Sequence, residues 1–172
     1  MGKKALLVID IQNDYFPDGK FPLWNTDKTL SNIKQLITKA NAQHVPVFLI
    51  QHISSAPQGM APFFEEGSDG MRIHSEIMSI CPDAEIICKQ HADGFHQTNL
   101  EKSLEKFDVG ELLICGMMTQ NCVTHTAISK KAEKYKVSII GDCCTATDRM
   151  IHNIALNAVS IRVPLLAFSE VL

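Results

Sequence analysis

The sequence predicts an α/β protein in which a mostly parallel sheet of six strands is covered by helices on both faces. Apolar runs alternate along the chain with segments of helical spacing, a pattern typical of strand–helix–strand units. Most of these runs are nearly continuous in apolar residues, as expected of strands that are buried on both faces. The six predicted strands span residues 5–9, 45–51, 85–89, 111–115, 137–141 and 164–168.

Three segments between these strands are predicted to be helices that pack on the sheet. Residues 27–42, capped by Thr26 or Asp27, direct one apolar stripe toward the sheet, formed by Leu30, Ile33, Ile37 and Ala40. A capping box from Thr98 to Glu101 opens a second helix that ends before Gly110 and buries Leu104 and Phe107. The last helix begins near Thr147 and buries a face formed by Ile151, Ile154, Ala155 and Ala158.

Length, charge and cysteine content narrow the class of protein. With 172 residues and 45% hydrophobic content, the chain is predicted to form a single domain, 1–172. A net charge of −3 without long runs of one sign favours neither nucleic acid nor an anionic membrane as a partner. Five apolar residues before Asp10 are too few for a signal-peptide core, and no stretch has the length of a membrane span. Six cysteines without any C-x-x-C pair indicate reduced thiols and a cytoplasmic protein.

Residues 52–73 interrupt the alternation of strands and helices. This segment contains two prolines, three glycines and the pair Phe63-Phe64, and it has no sustained period. Loops of this length inside compact domains are often functional, so we expect a wall or lid of a pocket, or part of an oligomer contact. A passive linker is the alternative.

Three strand ends carry residues suited to catalysis. Asp10 follows the first strand, Lys89 ends the third, and the fourth runs into a turn and a helix that contains Cys122. The carboxyl ends of parallel strands lie at one edge of the sheet, where ligands bind in open α/β sheets. A carboxylate at the end of a buried strand needs a partner, and Lys89 would supply the compensating charge.

Cys122 is the candidate nucleophile. If Thr119 caps the helix, Cys122 takes its third position, where free amides and the helix dipole lower the pKa of a thiol. The same amides are suited to hold an oxyanion. Asp10 would accept the thiol proton and later donate it to a leaving amine, while Lys89 orients the pair and stabilises the thiolate, without a metal ion.

Each of these assignments has an alternative. For Asp10 the alternative is an acid that only caps a turn, and for Cys122 it is a small buried helix residue. His125, three residues after Cys122, would allow a Cys-His dyad or a two-ligand metal corner. Candidate walls of a substrate pocket, each also explicable as a packing or loop residue, are Tyr15, Phe16, His52, Phe95 and Met118.

Four stretches together resemble the isochorismatase-like cysteine hydrolases, a family that includes nicotinamidases and streptothricin hydrolase. They are "LLVIDIQNDYF", "ICKQHADGF", "ICGMMTQNCVTHTA" and "IIGDCCTA", and the resemblance covers nearly the whole chain. It implies a Rossmann-like three-layer αβα fold with strand order 3-2-1-4-5-6 and a catalytic triad of Asp10, Lys89 and Cys122. It also implies an oxyanion hole formed by the backbone amides of Met118 and Cys122, a cis peptide bond between Met117 and Met118, and a homo-oligomer, either a dimer or a tetramer.

The resemblance also has implications for the substrate. Isochorismatases proper lack the cysteine, so Cys122 points to cleavage of a C–N bond. Nicotinamidases carry an Asp-x-His metal-binding stretch where this chain has Gln51-His52-Ile53-Ser54, so neither a metal ion nor another cofactor is expected. The predicted function is hydrolysis of an amide, lactam or imide-type bond of a small molecule through a thioester. The alternative is a catalytically silent small-molecule-binding or regulatory protein with the same fold.

Overall fold

A sheet of six parallel strands forms the centre of the computed structural model, which describes residues 2–172. The strands are β1 (Lys3–Ile9), β2 (Val47–His52), β3 (Glu85–Lys89), β4 (Val109–Met117), β5 (Lys136–Thr145) and β6 (Leu165–Leu166). Their order is β3-β2-β1-β4-β5-β6, with every pair parallel, which confirms the predicted fold class and strand order. The direction of winding reverses between β1 and β4, and crevices at such reversals are the usual ligand sites of this architecture.

The helices are α1 (Thr26–Ala42), α2 (Ser75–Ile80), α3 (Leu100–Lys106), α4 (Thr124–Ala127) and α5 (Arg149–Val159). The predicted stripe of α1 is confirmed, since Leu30, Ile33, Ile37 and Ala40 are all buried. Its predicted cap is wrong: the helix begins after Asn25, and no side chain caps it. None of the helices within residues 2–172 is both long and apolar enough to cross a bilayer.

The predicted end of α3 needs correction. Phe107 is 43% exposed, although its ring contacts Phe48 edge-on at 5.5 Å between centroids. Gly110 does not terminate the helix but lies within β4, where its backbone passes close to Gly2. A Cβ atom on Gly110 would lie 2.8 Å from the Cα of Gly2, so close backbone approach explains this glycine.

The buried face of α5 also differs from the prediction. His152, Ala155 and Val159 are buried, whereas Ile154 is 61% exposed and Ala158 is also exposed. The Nδ1 atom of His152 lies 2.8 Å from the buried hydroxyl of Thr119, which directs this side of the helix inward. Ile154, two residues further on, then points to solvent because successive residues are about 100° apart around a helix.

Candidate active site

The structure brings Asp10, Lys89 and Cys122 together at the carboxyl edge of the sheet. The Nζ atom of Lys89 lies 3.0 Å from Oδ2 of Asp10 and 3.2 Å from Sγ of Cys122. The three residues are 0%, 2% and 2% exposed, respectively, so the centre is closed to solvent. The cost of burying a carboxylate is offset here by an ammonium group in direct contact.

The backbone at Asp10 turns sharply as the chain leaves β1. Asp10 has φ = 51°, in the left-handed region, which aspartate tolerates better than most residues. Its amide donates to the carbonyl of Ile50 at 2.9 Å, and its own carbonyl accepts from the amide of Gln12. Of its two carboxylate oxygens, Oδ2 accepts from Lys89 and Oδ1 has no hydrogen-bond partner within residues 2–172. Oδ1 is therefore available to accept a proton.

Cys122 is carried by a five-residue π-helical turn, Thr119–Val123, that runs directly into α4. The prediction that Thr119 caps an α-helix is wrong: Met118 occupies the capping position, and the Thr119 hydroxyl bonds the carbonyl of Thr145 and the ring of His152. The Met118 carbonyl accepts from the amides of Asn121 and Val123 at 3.0 and 3.3 Å, which folds the turn tightly behind the sulfur. The peptide bond between Met117 and Met118 is cis, as the resemblance implied.

The electrostatics of Cys122 differ from the expectation of a low pKa. Burial and the negative charge of Asp10 raise the pKa of the thiol above its usual range, and the neighbouring Lys89 only partly opposes this. Burial alone would lower the pKa of Lys89, but Asp10 and Cys122 raise it above its usual value. Burial and Asp10 thus favour the neutral form of the Cys122 thiol over the thiolate.

His52, the last residue of β2, contacts the same ammonium group. Its Nδ1 atom lies 3.0 Å from Nζ of Lys89. Burial and the charge of Lys89 lower the pKa of the His52 imidazole, while Asp10 partly offsets the effect. An ammonium group can only donate, so Nδ1 accepts this hydrogen bond and the proton of the neutral ring is on Nε2.

A carboxylate oxygen, an imidazole nitrogen and the sulfur lie within 4.8 Å of one another at this centre, contributed by Asp10, His52 and Cys122. Such a set has the chemistry of a metal site. However, Nζ of Lys89 lies within 3.2 Å of all three residues and already supplies the positive charge between them. A metal ion would have to displace the ammonium group.

The other residues predicted to line a pocket lie at different distances from this centre. Tyr15 is buried, and burial and the negative charge of Asp10 raise the pKa of its phenol above the usual range. Met118 is buried next to the turn that carries Cys122. Phe16 packs on His74 at 4.3 Å and Phe95 stacks on Tyr135 at 6.1 Å, both between ring centroids, so both rings have packing partners away from the triad.

His125 does not join the centre. Its side chain is exposed, and its Nδ1 atom lies 2.8 Å from the carbonyl of Asn121 in its own helical turn. The sulfur of Cys122 instead contacts Lys89. The alternative of a Cys-His dyad is therefore wrong.

Two anchoring residues were not identified from the sequence. The buried Gln12 side chain donates to the carbonyl of His52 and accepts from its amide, both at 2.8 Å, and also donates to the carbonyl of Met71. The buried carboxylate of Asp14 accepts from the amides of Phe64 at 2.7 Å and Lys20 at 3.0 Å. Both side chains hold the segment between β2 and α2 against the end of β1. Their position shortly after the candidate acid Asp10 was the feature of the sequence that could have identified them.

Aromatic side chains of that segment pack against Tyr15. The ring of Tyr15 packs edge-on against Phe64 at 4.5 Å and also contacts Phe63 at 5.4 Å, and Phe64 is fully buried. Next to the centre lies an open cavity of about 240 Å³ that reaches Lys89. Its lining includes Ile53, Glu66, Cys88, His91 and His96.

The fold and the site define a doubly wound α/β protein with a buried Asp-Lys-Cys centre at the reversal of strand order. The isochorismatase domain model matches residues 4–171, so the chain belongs to the isochorismatase family, and the resemblance read from the sequence is confirmed. It is similar to the isochorismatase family protein YddQ of Bacillus subtilis, with 36% identity over 149 residues, 87% of this chain and 81% of that protein.

Further relatives belong to the same family of hydrolases. Nicotinamidase 3 of Arabidopsis thaliana is 27% identical over 161 residues, 88% of this chain and 78% of the relative. Streptothricin hydrolase of Streptomyces noursei is 27% identical over 145 residues, 84% of this chain and 55% of that longer protein. The solved structure of an isochorismatase family protein from Desulfovibrio vulgaris has the same fold, with a TM-score of 0.89, 21% identity and coverage of 99% and 96% of the two chains.

Proposed function

We propose that this protein hydrolyses a C–N bond of a small amide, lactam or imide through a thioester on Cys122. One observation carries the proposal: a buried ammonium group, that of Lys89, contacts both the candidate base Asp10 and the candidate nucleophile. The relatives named nicotinamidase and streptothricin hydrolase support C–N cleavage.

In the first half of the reaction, Asp10 takes the proton of the Cys122 thiol as the sulfur attacks the substrate carbonyl. The backbone amides of Met118 and Cys122 hold the oxygen that becomes negative in the tetrahedral intermediate. Asp10 then gives its proton to the leaving nitrogen, the C–N bond breaks, and the amine departs. Lys89 stabilises the negative charge as it passes from Asp10 to sulfur.

In the second half, water attacks the thioester and Asp10 accepts one of its protons. The C–S bond breaks, the proton returns to the sulfur, and the carboxylic acid product leaves with the thiol restored. We assign Tyr15, His52 and Met118 to the walls nearest the sulfur, and Phe16 and Phe95 to more distant walls. No metal ion or other cofactor takes part in this mechanism.

The test is a screen of primary amides, lactams and cyclic imides as substrates. Release of ammonia or acid is measured with and without a chelator. Cys122→Ala is compared with Cys88→Ala, since Cys88 is exposed and lies beside the triad residue Lys89. We expect hydrolysis to be lost in the first variant and retained in the second, with an acyl adduct on wild-type Cys122 detectable by mass. Retained hydrolysis in Cys122→Ala overturns the mechanism, and ligand binding without turnover would favour the silent binding protein.

We further propose a homo-oligomer in the cytoplasm. The outer face of α5 and the turn after it expose three large apolar side chains, Met150, Ile154 and Ile161, which a second copy of the chain would cover. Ile154→Lys should reduce the mass measured by sedimentation, whereas Asn153→Lys on the same helix should not. The exposed free thiol of Cys88 fits a reducing compartment.

A further inference from the structure

His52 and Lys89 are paired by the architecture of the sheet. They are register partners at the ends of neighbouring strands, β2 and β3, and the amide of Ile53 donates to the carbonyl of Lys89 at 2.9 Å. Lys89 must reach Asp10 at the end of β1, which lies two strands away because β2 is between them. Since neighbouring strands are about 4.8 Å apart, the lysine side chain has to cross the end of β2, where His52 lies.

The ammonium group of Lys89 has three N–H bonds and three acceptors. These are Oδ2 of Asp10 at 3.0 Å, Nδ1 of His52 at 3.0 Å and Sγ of Cys122 at 3.2 Å. A buried ammonium group is costly unless each of its donors is satisfied. His52 is the only neutral acceptor of the three once the thiol ionises. Its hydrogen bond to Lys89 therefore adds no further negative charge to the two that Asp10 and Cys122 then carry.

The main chain of His52 is itself fixed from β1. The side chain of Gln12 bonds both the amide and the carbonyl of His52 at 2.8 Å and is completely buried. The ring is therefore presented to Lys89 from a backbone position that cannot shift without breaking two hydrogen bonds. Gln12 thus fixes the position of His52, His52 fixes the position of the Lys89 ammonium group, and this group contacts the sulfur.

We propose that His52 is a positioning residue that keeps Lys89 charged and directed at Cys122, and thereby sets the pH at which the sulfur ionises. This role of His52 rests on the proposed function, in which Cys122 is the nucleophile. It is separate from the contact with substrate that was assigned to His52 above. The groups that face the imidazole are the ammonium of Lys89, the carboxylate of Asp10, the thiol of Cys122 and the more distant ring of His91. Among them only Lys89 has a hydrogen bond to the ring.

A matched pair of substitutions separates this role from a structural one. In His52→Asn, the amide oxygen takes the place of Nδ1, the same number of bonds from the backbone, and keeps an acceptor for Lys89. In His52→Leu, a methyl group takes that place. Both are made in a Cys88→Ala background, and the rate of Cys122 alkylation by iodoacetamide is measured against pH without substrate, with Cys122→Ala as the blank.

We expect the leucine variant to alkylate about ten-fold more slowly at a fixed pH below its midpoint, because a hydrogen bond to the ammonium group is lost. Its profile moves to higher pH, and the asparagine variant stays within about three-fold of the parent at the same pH. Equal shifts in both variants, or no shift in the leucine variant, overturn the proposal. If the leucine chain does not fold, His52→Val, suited to a strand end, replaces it with the same expected outcome.

The experiment is independent of turnover. Hydrolysis that persists in Cys122→Ala would refute the proposed function, whereas the alkylation profiles of the His52 variants would still report how Lys89 is held. A merely structural role for His52 would lower the melting temperature in both variants and leave the alkylation midpoint of each folded protein in place.

Discussion

The side chains of Lys89 and Asp10 form an ion pair with 3.0 Å between Nζ and Oδ2, and neither side chain is accessible to solvent. Each strand end supplies one charge, and the two ends are separated by β2. In the pair each buried charge has a direct partner, and the pair is the source of the charges that the proposed mechanism uses. Replacing Lys89 and replacing Asp10 are therefore expected to have different effects.

Lys89→Met should destabilise the fold by about 3 kcal/mol, because it leaves Asp10 buried without a compensating charge. Chemical denaturation measures the free energy of unfolding. The double variant Asp10→Asn with Lys89→Met should be less destabilised than the sum of the two single variants, since no isolated charge remains. Additive effects would mean that the contact does not stabilise the folded state.

Asp10→Asn should abolish hydrolysis and yet make Cys122 alkylate faster near neutral pH. The negative charge of Asp10 helps to raise the pKa of the thiol, so its removal lowers that pKa and increases the thiolate fraction at a given pH. In the Cys88→Ala background, the alkylation midpoint should move to lower pH by roughly one unit. A midpoint that moves upward would show that Asp10 promotes ionisation of the resting thiol.

Gly116→Ala should destabilise the protein by about 3 kcal/mol or more, from backbone strain and a clash. Gly116 has φ = 124°, and a Cβ atom there would lie 2.1 Å from the carbonyl oxygen of Ile9 on β1. Gly141→Ala on β5 is the control, because its Cβ would meet only a side-chain atom of Leu156, at 3.3 Å. The two variants are compared by thermal and chemical denaturation. Similar unfolding midpoints would show that close backbone approach and positive φ do not require glycine at position 116.

Asp14→Ala should loosen the segment between β2 and α2. The carboxylate accepts hydrogen bonds from the amides of Phe64 and Lys20, and both are lost together in the variant. Faster hydrogen exchange and proteolysis within residues 54–72, with a raised KM for any substrate found, are expected. Asp18→Ala, which removes an exposed carboxylate four residues away, should leave exchange unchanged. Equal protection in both variants would show that Asp14 does not anchor the segment.

Much of the architecture is predictable because it depends on local composition. A strand segment that is buried on both faces must be apolar, so the central parts of β1, β2 and β4 are visible as the uninterrupted runs ALLVI, VFLI and LLIC. The shared edge of parallel strands then places Asp10, Lys89 and the turn before Cys122 in one region. The apolar stripe of α1 follows from helical spacing in the same way.

The errors arise where a contact distant in sequence overrides a local preference. Thr119 has the residue type of a cap, but its hydroxyl is occupied by Thr145 and His152, and the following residues form a π-helical turn. The contact between Thr119 and His152 also rotates α5, so that Ile154 faces outward. Neither partner is close to Thr119 along the chain.

The sequence by itself determined the strands of the sheet, where along the chain each strand ends, and the residue types available at the carboxyl edge. These features depend on periodicity and composition, which act over a few neighbouring residues. Only the tertiary structure decided the state of those residues. Burial and Asp10 raise the pKa of the Cys122 thiol more than Lys89 lowers it, and Lys89 contacts His52 because its side chain crosses the end of β2. Charge, burial and hydrogen bonding depend on distances in space, which no spacing along the chain specifies.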